Sequence, residues 1–290
     1  MNFIDLFSGV GGFRMGMEKA GHTCIGFCEI DKFARDSYKA IYNTKGEKEL
    51  NDITKVTNEQ WREFKGETDI ICGGFPCQAF SIAGKRKGFL DETRGTLFFE
   101  IARAAEQIKP RMLFLENVKG LLSHDKGRTF GIILNTLDEL GYDCQWQVLN
   151  SKNFGVPQNR ERVFIIGHLR GTSGREVFPI RKSVGKNDIK INIIGNTNNA
   201  GHGQKSAIFG TDGIIGALTA SDYKQPKQIA IYNNGVVNFR KLTPREYWRL
   251  QGFPDWAFDK AQAVNSNTQL YKQAGNSVTV NVIEEIARIL

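Results

Sequence analysis

Two periods of apolar and polar positions alternate along the first 170 residues. "NFIDLFS", "TCIGFCEI", "TDIICGGF" and "RMLFLENV" are short, nearly continuous apolar runs and read as buried strands. Between them, "GFRMGMEKAG", "DKFARDSYKAIY" and "TLFFEIARAAEQIK" repeat apolar residues at helical spacing. Gly21 and Pro110 stop the first and third of these helices, and Asp31 is placed to cap the second. "TFGIILNTLDELG" is a further amphipathic helix, followed by the strands "YDCQWQVLN" and "ERVFIIGHL". Continuous apolar strands alternating with helices predict a parallel or mostly parallel sheet covered on both faces, an α/β class.

Past residue 168 the texture changes. Residues 168–239 hold ten glycines and eight asparagines, which favours loops, with only short strand-like pieces such as "INIIG", "AIFG", "QIAIY" and "VVNF". Helical patterning returns at "TPREYWRLQGF" and "VNVIEEIARIL". This middle stretch carries nine Lys and Arg against four Asp and Glu, so it supplies +5 of a net charge of +8. That balance leans toward a polyanionic partner, nucleic acid above all. No run approaches the roughly 20 apolar residues that span a bilayer, and no signal peptide is expected at "MNFIDLFSGVGG". A soluble cytoplasmic protein is the expectation.

Five cysteines occur, at 24, 28, 72, 77 and 144, without CxxC and without a histidine at zinc-ligand spacing, so neither a disulfide framework nor a metal is expected. Cys24, Cys28 and Cys72 sit in apolar runs and read as small buried hydrophobes. Cys77 differs. It follows Pro76 where a strand ends and leads into a basic, glycine-spaced loop with Lys85, Arg86, Lys87 and Arg94. A nucleophile fits that position, because ligands of open α/β sheets bind outside the carboxyl ends of the strands.

Other candidates gather at strand ends. In "DLFSGVGGF" a strand enters a turn with Gly9, Gly11 and Gly12, and Glu29 ends the next strand, where such folds bind a ribose hydroxyl. The spacing is GxGG and not the dinucleotide GxGxxG, which favours a nucleoside ligand without a pyrophosphate, such as S-adenosylmethionine, and disfavours a nicotinamide oxidoreductase. Glu116 ends another strand in "LENVKG". In "PQNRERVFIIG", strand alternation puts Arg160 and Arg162 on one side and Glu161 on the other.

Taken together, "DLFSGVGGF", "GGFPCQAFSIAGKRKGF", "ENV", "QNRERVFIIG", "RKLTPREYWRLQGFPD" and "QLYKQAGNSVTVNV" resemble, in family order, six motifs of the DNA (cytosine-5) methyltransferases. The resemblance covers nearly the whole chain and leaves only 168–239 without a motif. It implies a Rossmann-like S-adenosylmethionine-dependent core formed by 1–167 plus 268–290, with a small β-rich target-recognition domain over 168–267. It further implies methyl transfer to carbon 5 of a flipped-out cytosine in double-stranded DNA. In that scheme Cys77 is the nucleophile at carbon 6, Glu116 binds the ring N3 and amino edge, Arg162 the O2, and Arg160 supports its neighbour. For the cofactor, Phe7 stacks on the adenine, Glu29 binds the ribose, and Asp52 accepts from the adenine amine beside Ile53. Pro76, Asn276 and Val278 complete the pocket.

Two positions depart from the family pattern. Ile30 stands where some members carry tryptophan, so it packs the adenine edge without stacking. Ala217 replaces a threonine, leaving Thr219 to supply a phosphate contact near the flipped base. Members of this size pair with restriction endonucleases, and a monomer suffices for the chemistry. A branch acting on transfer RNA typically lacks a sizeable recognition region, so 168–239 argues for DNA. A catalytically silent DNA-binding scaffold is the other alternative, which the intact Cys77, Glu116 and Arg162 argue against.

Overall fold

A computed structural model of the chain describes residues 1–76, 97–172, 174–180, 190–196, 207–233 and 236–290. The first half runs β1 (Asn2–Leu6), α1 (Gly12–Lys19), β2 (Thr23–Cys28), α2 (Lys32–Ile41), β3 (Lys48–Leu50), α3 (Asn58–Arg62), β4 (Ile70–Gly74), α4 (Leu97–Ile108), β5 (Met112–Val118), α5 (Arg128–Glu139), β6 (Tyr142–Asn150), β7 (Gln158–Asn159) and β8 (Glu161–Leu169). These strands build a seven-stranded sheet in the order β3-β2-β1-β4-β5-β8-β6. The five strands from β3 to β5 are parallel, and β8 runs antiparallel to both of its neighbours. The mostly parallel α/β sheet expected from the pattern is what forms. The antiparallel insertion of β8 between β5 and β6 is an addition that no local pattern announces.

Side-chain alternation splits the core between the two faces of this sheet. Ile4, Leu6, Ile71, Leu113 and Ile165 pack under Phe98 and Ile101 of α4 and Ile133 and Leu137 of α5. Phe3, Ile70, Cys72, Phe114 and Ile166 pack on the other face, under Phe13 and Met17 of α1. That second face also receives Ile283 and Ile286 from the last helix. Strands buried on both faces need continuous apolar runs, which is why the sequence displays them. Asp31 caps α2 as anticipated: its Oδ1 accepts from the backbone N–H of Phe33 at 2.8 Å.

The remainder comprises β9 (Ile193–Asn196), β10 (Ala207–Phe209), β11 (Ile215–Gly216), β12 (Gln228–Asn233), β13 (Val236–Lys241), α6 (Pro244–Leu250), α7 (Asp255–Gln262), α8 (Asn267–Asn276) and α9 (Val280–Ala287). A second sheet, β13-β12-β10-β9, forms from the four short β-like pieces of the loop-rich stretch, and β11 pairs with β7. Ala257 and Phe258 of α7 share a core with Tyr38 and Ile41 of α2, and Phe209 and Trp248 join the same cluster. Part of the 168–267 stretch is therefore anchored on the first half of the chain.

Strand order fixes where a ligand can sit. From β1 the chain moves outward through β2 to β3, and then returns to the other side of β1 to place β4 and β5. Helices on the two sides of such a reversal diverge, and a crevice opens beyond the carboxyl ends of β1 and β4.

Candidate active site

A cleft of about 450 Å³ occupies that crevice. Its lining residues come from the carboxyl ends of β1, β2, β4 and β5, the start of β8, and α8.

At one end, Phe7 leaves β1 with a left-handed φ of 53°, which turns the chain sharply into the glycine segment. The Glu29 carboxylate is held by two backbone donors: the Gly9 N–H reaches Oε2 at 2.8 Å, and the Asp31 N–H reaches Oε1 at 2.8 Å. Burial raises the Glu29 pKa, and those two amide donors oppose the rise. A carboxylate carries about four lone-pair positions, so Glu29 keeps acceptor capacity directed by its fixed geometry. Asp52 accepts from the Thr54 hydroxyl at 2.7 Å and the Thr54 N–H at 3.0 Å, bonds that hold its pKa below the ordinary value. Ile30 and Ile53 add apolar wall, Ile30 with 68% of its surface exposed. An aromatic ring, aliphatic edges and two carboxylates suit a cationic nucleoside ligand, with hydroxyl and amino donors meeting the carboxylates.

Gly11, Gly12 and Val278 stand behind this wall. The Tyr42 hydroxyl donates to the Gly11 carbonyl at 2.6 Å, while Gly12 opens α1 against Ser277 and Val278. Val278 is buried next to Phe13.

At the other end the cleft is cationic and acidic at once. Glu116 is 7% exposed, and its Oε1 lies 2.9 Å from Nε of Arg162. Burial pushes the Glu116 carboxyl upward, opposed by Arg162 and then Arg160. Gly74 of β4 lies so close that a Cβ there would stand 3.1 Å from Glu116 Oε2. Glu161 turns away as alternation requires and pairs with Lys119 at 3.0 Å. Arg160 donates to the carbonyls of Leu218 (2.9 Å), Gly275 (3.3 Å) and Ser277 (2.8 Å), tying three remote segments together. Desolvation pulls its pKa down to about 9, which leaves it cationic at neutral pH.

β4 leads through Phe75 to an exposed Pro76 at the cleft. The Asn117 side chain holds that exit, its Nδ2 donating to the Phe75 carbonyl at 2.8 Å. Cys77 and the basic positions Lys85, Arg86, Lys87 and Arg94 lie outside the described residues. The four described thiols are unsuited to nucleophilic attack. Burial drives Cys72 far upward and pushes Cys24, Cys28 and Cys144 to about 12.

α8 closes the remaining side with Lys272, Gln273, Gly275 and Asn276. Sequence reasoning did not single out Val10, Asn51, Asn117, Lys272 or Gln273, all of which line the cleft. Asn117, Lys272 and Gln273 fall inside quoted motifs, but nothing local reveals which way they point.

A family model described as C-5 cytosine-specific DNA methylase matches residues 1–199 and 181–290. The chain belongs to this family. Among its relatives, Type II methyltransferase M.SsoII of Shigella sonnei is 42% identical over 98% of this chain and 78% of its own length. M.HpaII of Haemophilus parainfluenzae is 40% identical over 97% and 87%, and M.HhaI of Haemophilus parahaemolyticus 37% over 99% and 93%. Among solved structures, the S. pombe Dnmt2 methyltransferase superposes with a TM-score of 0.73 at 18% identity, covering 98% of this chain and 96% of the other. The Entamoeba histolytica methyltransferase EhMeth gives 0.68 at 19% identity, covering 98% and 96%. At such identities these two establish the fold, a Rossmann-like methyltransferase core. As a C-5 cytosine-specific DNA methylase the chain is a DNA methyltransferase whose methyl donor is S-adenosylmethionine, and the Phe7–Glu29–Asp52 end of the cleft fits that cofactor. No described helix is long and apolar enough to cross a membrane.

Proposed function

We propose that this cytosine-5 methyltransferase works by covalent catalysis on a cytosine swung out of duplex DNA, with Cys77 as the nucleophile. The observation that carries the reading is the buried Glu116–Arg162 pair, 2.9 Å apart, beside the strand exit that leads to Pro76. Carbon 5 of cytosine is a poor nucleophile. Addition of the Cys77 thiolate to carbon 6 moves an electron pair into the ring and makes carbon 5 enamine-like. Glu116, kept toward its neutral form by burial, donates at N3 and stabilises that charge. Arg162 binds the O2, and Arg160 holds the turn at 275–277 and Leu218 against it. When bound, S-adenosylmethionine supplies an electrophilic sulfonium methyl, held by Phe7, Glu29, Ile30, Asp52, Ile53 and Pro76 with Gly9 and Asn276. Gly11, Gly12 and Val278 support that pocket from behind. Loss of the carbon 5 proton to a base then lets the carbon 6–sulfur bond break, and the thiolate returns.

Residues 1–167 plus 268–290 form the catalytic part in this reading, and 168–267 reads the target sequence. Extruding the base costs a few kcal/mol, which contacts from the basic loop after Cys77 and from the recognition part offset. The relatives are Type II methyltransferases, which supports a partner restriction endonuclease cutting the same site.

Duplex DNA bearing 5-fluorocytosine at the target tests the mechanism, because no proton can leave carbon 5. A covalent complex mapping to Cys77 is expected. Cys77→Ser is expected to abolish both complex and turnover while S-adenosylmethionine still binds. An adduct on Cys72, or turnover by Cys77→Ser, would overturn the assignment.

A further inference from the structure

Three cations line the described cleft, and two are committed. Arg162 pairs with Glu116, and Arg160 donates to three carbonyls. The third, Lys272, has no carboxylate or carbonyl acceptor among the described residues. Its Nζ lies over the Tyr223 ring, 4.9 Å from the centroid, and Lys224 lies 5.9 Å over the same ring. A π-face attracts an ammonium but leaves its net charge in place. Two positive charges therefore share one aromatic ring at the cleft wall.

The surroundings keep that charge available. The nearest carboxylate on the Tyr223 segment, Asp222, is 5% exposed and turns inward to Lys227 Nζ at 3.8 Å and to the Tyr247 hydroxyl at 3.2 Å. Asp222 also takes the hydroxyl proton of Thr219 at 2.5 Å. Thr219 was the expected substitute for the phosphate donor missing at Ala217, yet its one O–H already caps the 3₁₀ turn Ala220–Tyr223. The cleft thus lacks the hydroxyl grip that the sequence led one to expect, and offers an unneutralised ammonium beside it.

The wall that carries Lys272 is rigid. Gly275, three residues on, packs so tightly that a Cβ there would stand 2.2 Å from the carbonyl carbon of Thr219. Arg160 clamps the same junction by bonding Leu218 and Gly275 together.

We propose that Lys272, seated on Tyr223 with Lys224 beside it, binds a DNA backbone phosphate flanking the target cytosine and so positions the extruded nucleotide against Glu116. A phosphodiester fits better than the cofactor carboxylate. Lys272 abuts 219–224, on the side away from Phe7, Glu29 and Asp52, and an ammonium near the cofactor would oppose its sulfonium. The inference rests on the methyl-transfer reading above and adds a positioning residue to it.

The test is the salt dependence of binding to a duplex containing the target, in wild type, Lys272→Gln and Lys272→Arg. Each phosphate contact contributes about 0.9 to the slope of log affinity against log salt. Lys272→Gln is expected to lower that slope by about 1 and to weaken binding by about the same factor on target and non-target duplexes. Lys272→Arg should keep the slope, and S-adenosylmethionine affinity, which also reports an intact fold, should stay within about twofold in both. An unchanged slope with weakened cofactor binding would reassign Lys272 to the cofactor, and an unchanged slope with unchanged cofactor binding would leave it no ligand; either result overturns the proposal. Wild-type adduct formation with 5-fluorocytosine DNA keeps this outcome separate, since its failure would strike the Cys77 mechanism and not Lys272.

Discussion

Glu116→Gln separates the chemical work of this carboxyl from its structural work. The side chain has almost no freedom: it is 7% exposed, bound to Arg162 at 2.9 Å, and backed by Gly74. Glutamine has the same shape, can present its carbonyl to Arg162, and can still offer an amide donor to N3. What disappears is the transferable proton. The exchange also removes a buried charge together with its ion pair, two effects of opposite sign. Stability should therefore move by no more than about 1–2 kcal/mol, a shift of a few degrees in Tm for a chain of this length. The single-turnover rate of methyl transfer, with DNA and cofactor saturating, should fall about 10²–10⁴-fold. A factor of ten in rate is about 1.4 kcal/mol, so the predicted barrier increase exceeds anything the melt would register.

The pH profile supplies the sign. Burial raises the Glu116 pKa, and the neutral acid is the donating form. Wild-type rate should hold at low pH and fall as pH rises through the folded-state pKa. That fall should come above the pH at which an exposed glutamate, with a pKa of about 4.3, loses its proton. The variant has no such proton and should lack the limb. A variant rate within tenfold of wild type, or a high-pH limb that survives the substitution, would refute the general-acid role.

Two further outcomes follow from particular contacts. Asn117→Ala removes the 2.8 Å bond to the Phe75 carbonyl and should reduce kcat more than it raises KM for DNA, because the strand exit before Pro76 loosens; equal effects on both in steady-state kinetics would count against it. Gly275→Ala would drive a methyl to 2.2 Å from the Thr219 backbone. Overpacking of that kind costs about 1–3 kcal/mol or more, so Tm in a thermal melt should drop by several degrees, and an unchanged Tm would refute the close approach.

Much of the fold was legible because strands buried on both faces must be apolar throughout, and β1, β2, β4, β5, β6 and β8 all obey that demand. The helices α7 and α8 were not legible. "DWAFDKAQ" and "NTQLYKQAGN" mix polar and apolar positions, since each packs against several elements at once. β3 has three residues and little pattern to show. At the site, alternation did put Arg160 and Arg162 opposite Glu161. The work of Arg160 could not be read, because its three carbonyl partners come from remote parts of the chain and backbone acceptors carry no residue signature. Asn117 and Lys272 were in plain view, but Phe75 and Tyr223, the groups they address, became neighbours only through the fold.

The return of α9 to α1 has a consequence for how the enzyme comes into being. Phe13 and Met17, among the first residues to leave the ribosome, find part of their apolar cover in Ile283 and Ile286, among the last, and the His22 ring meets the Ala287 carbonyl at 2.9 Å. Because chains are made from the amino end, the helix that supports the cofactor turn waits for the end of translation before its packing is complete. A nascent or prematurely stopped polypeptide can hold every catalytic side chain and still lack a finished binding wall, so DNA modification begins only with whole molecules.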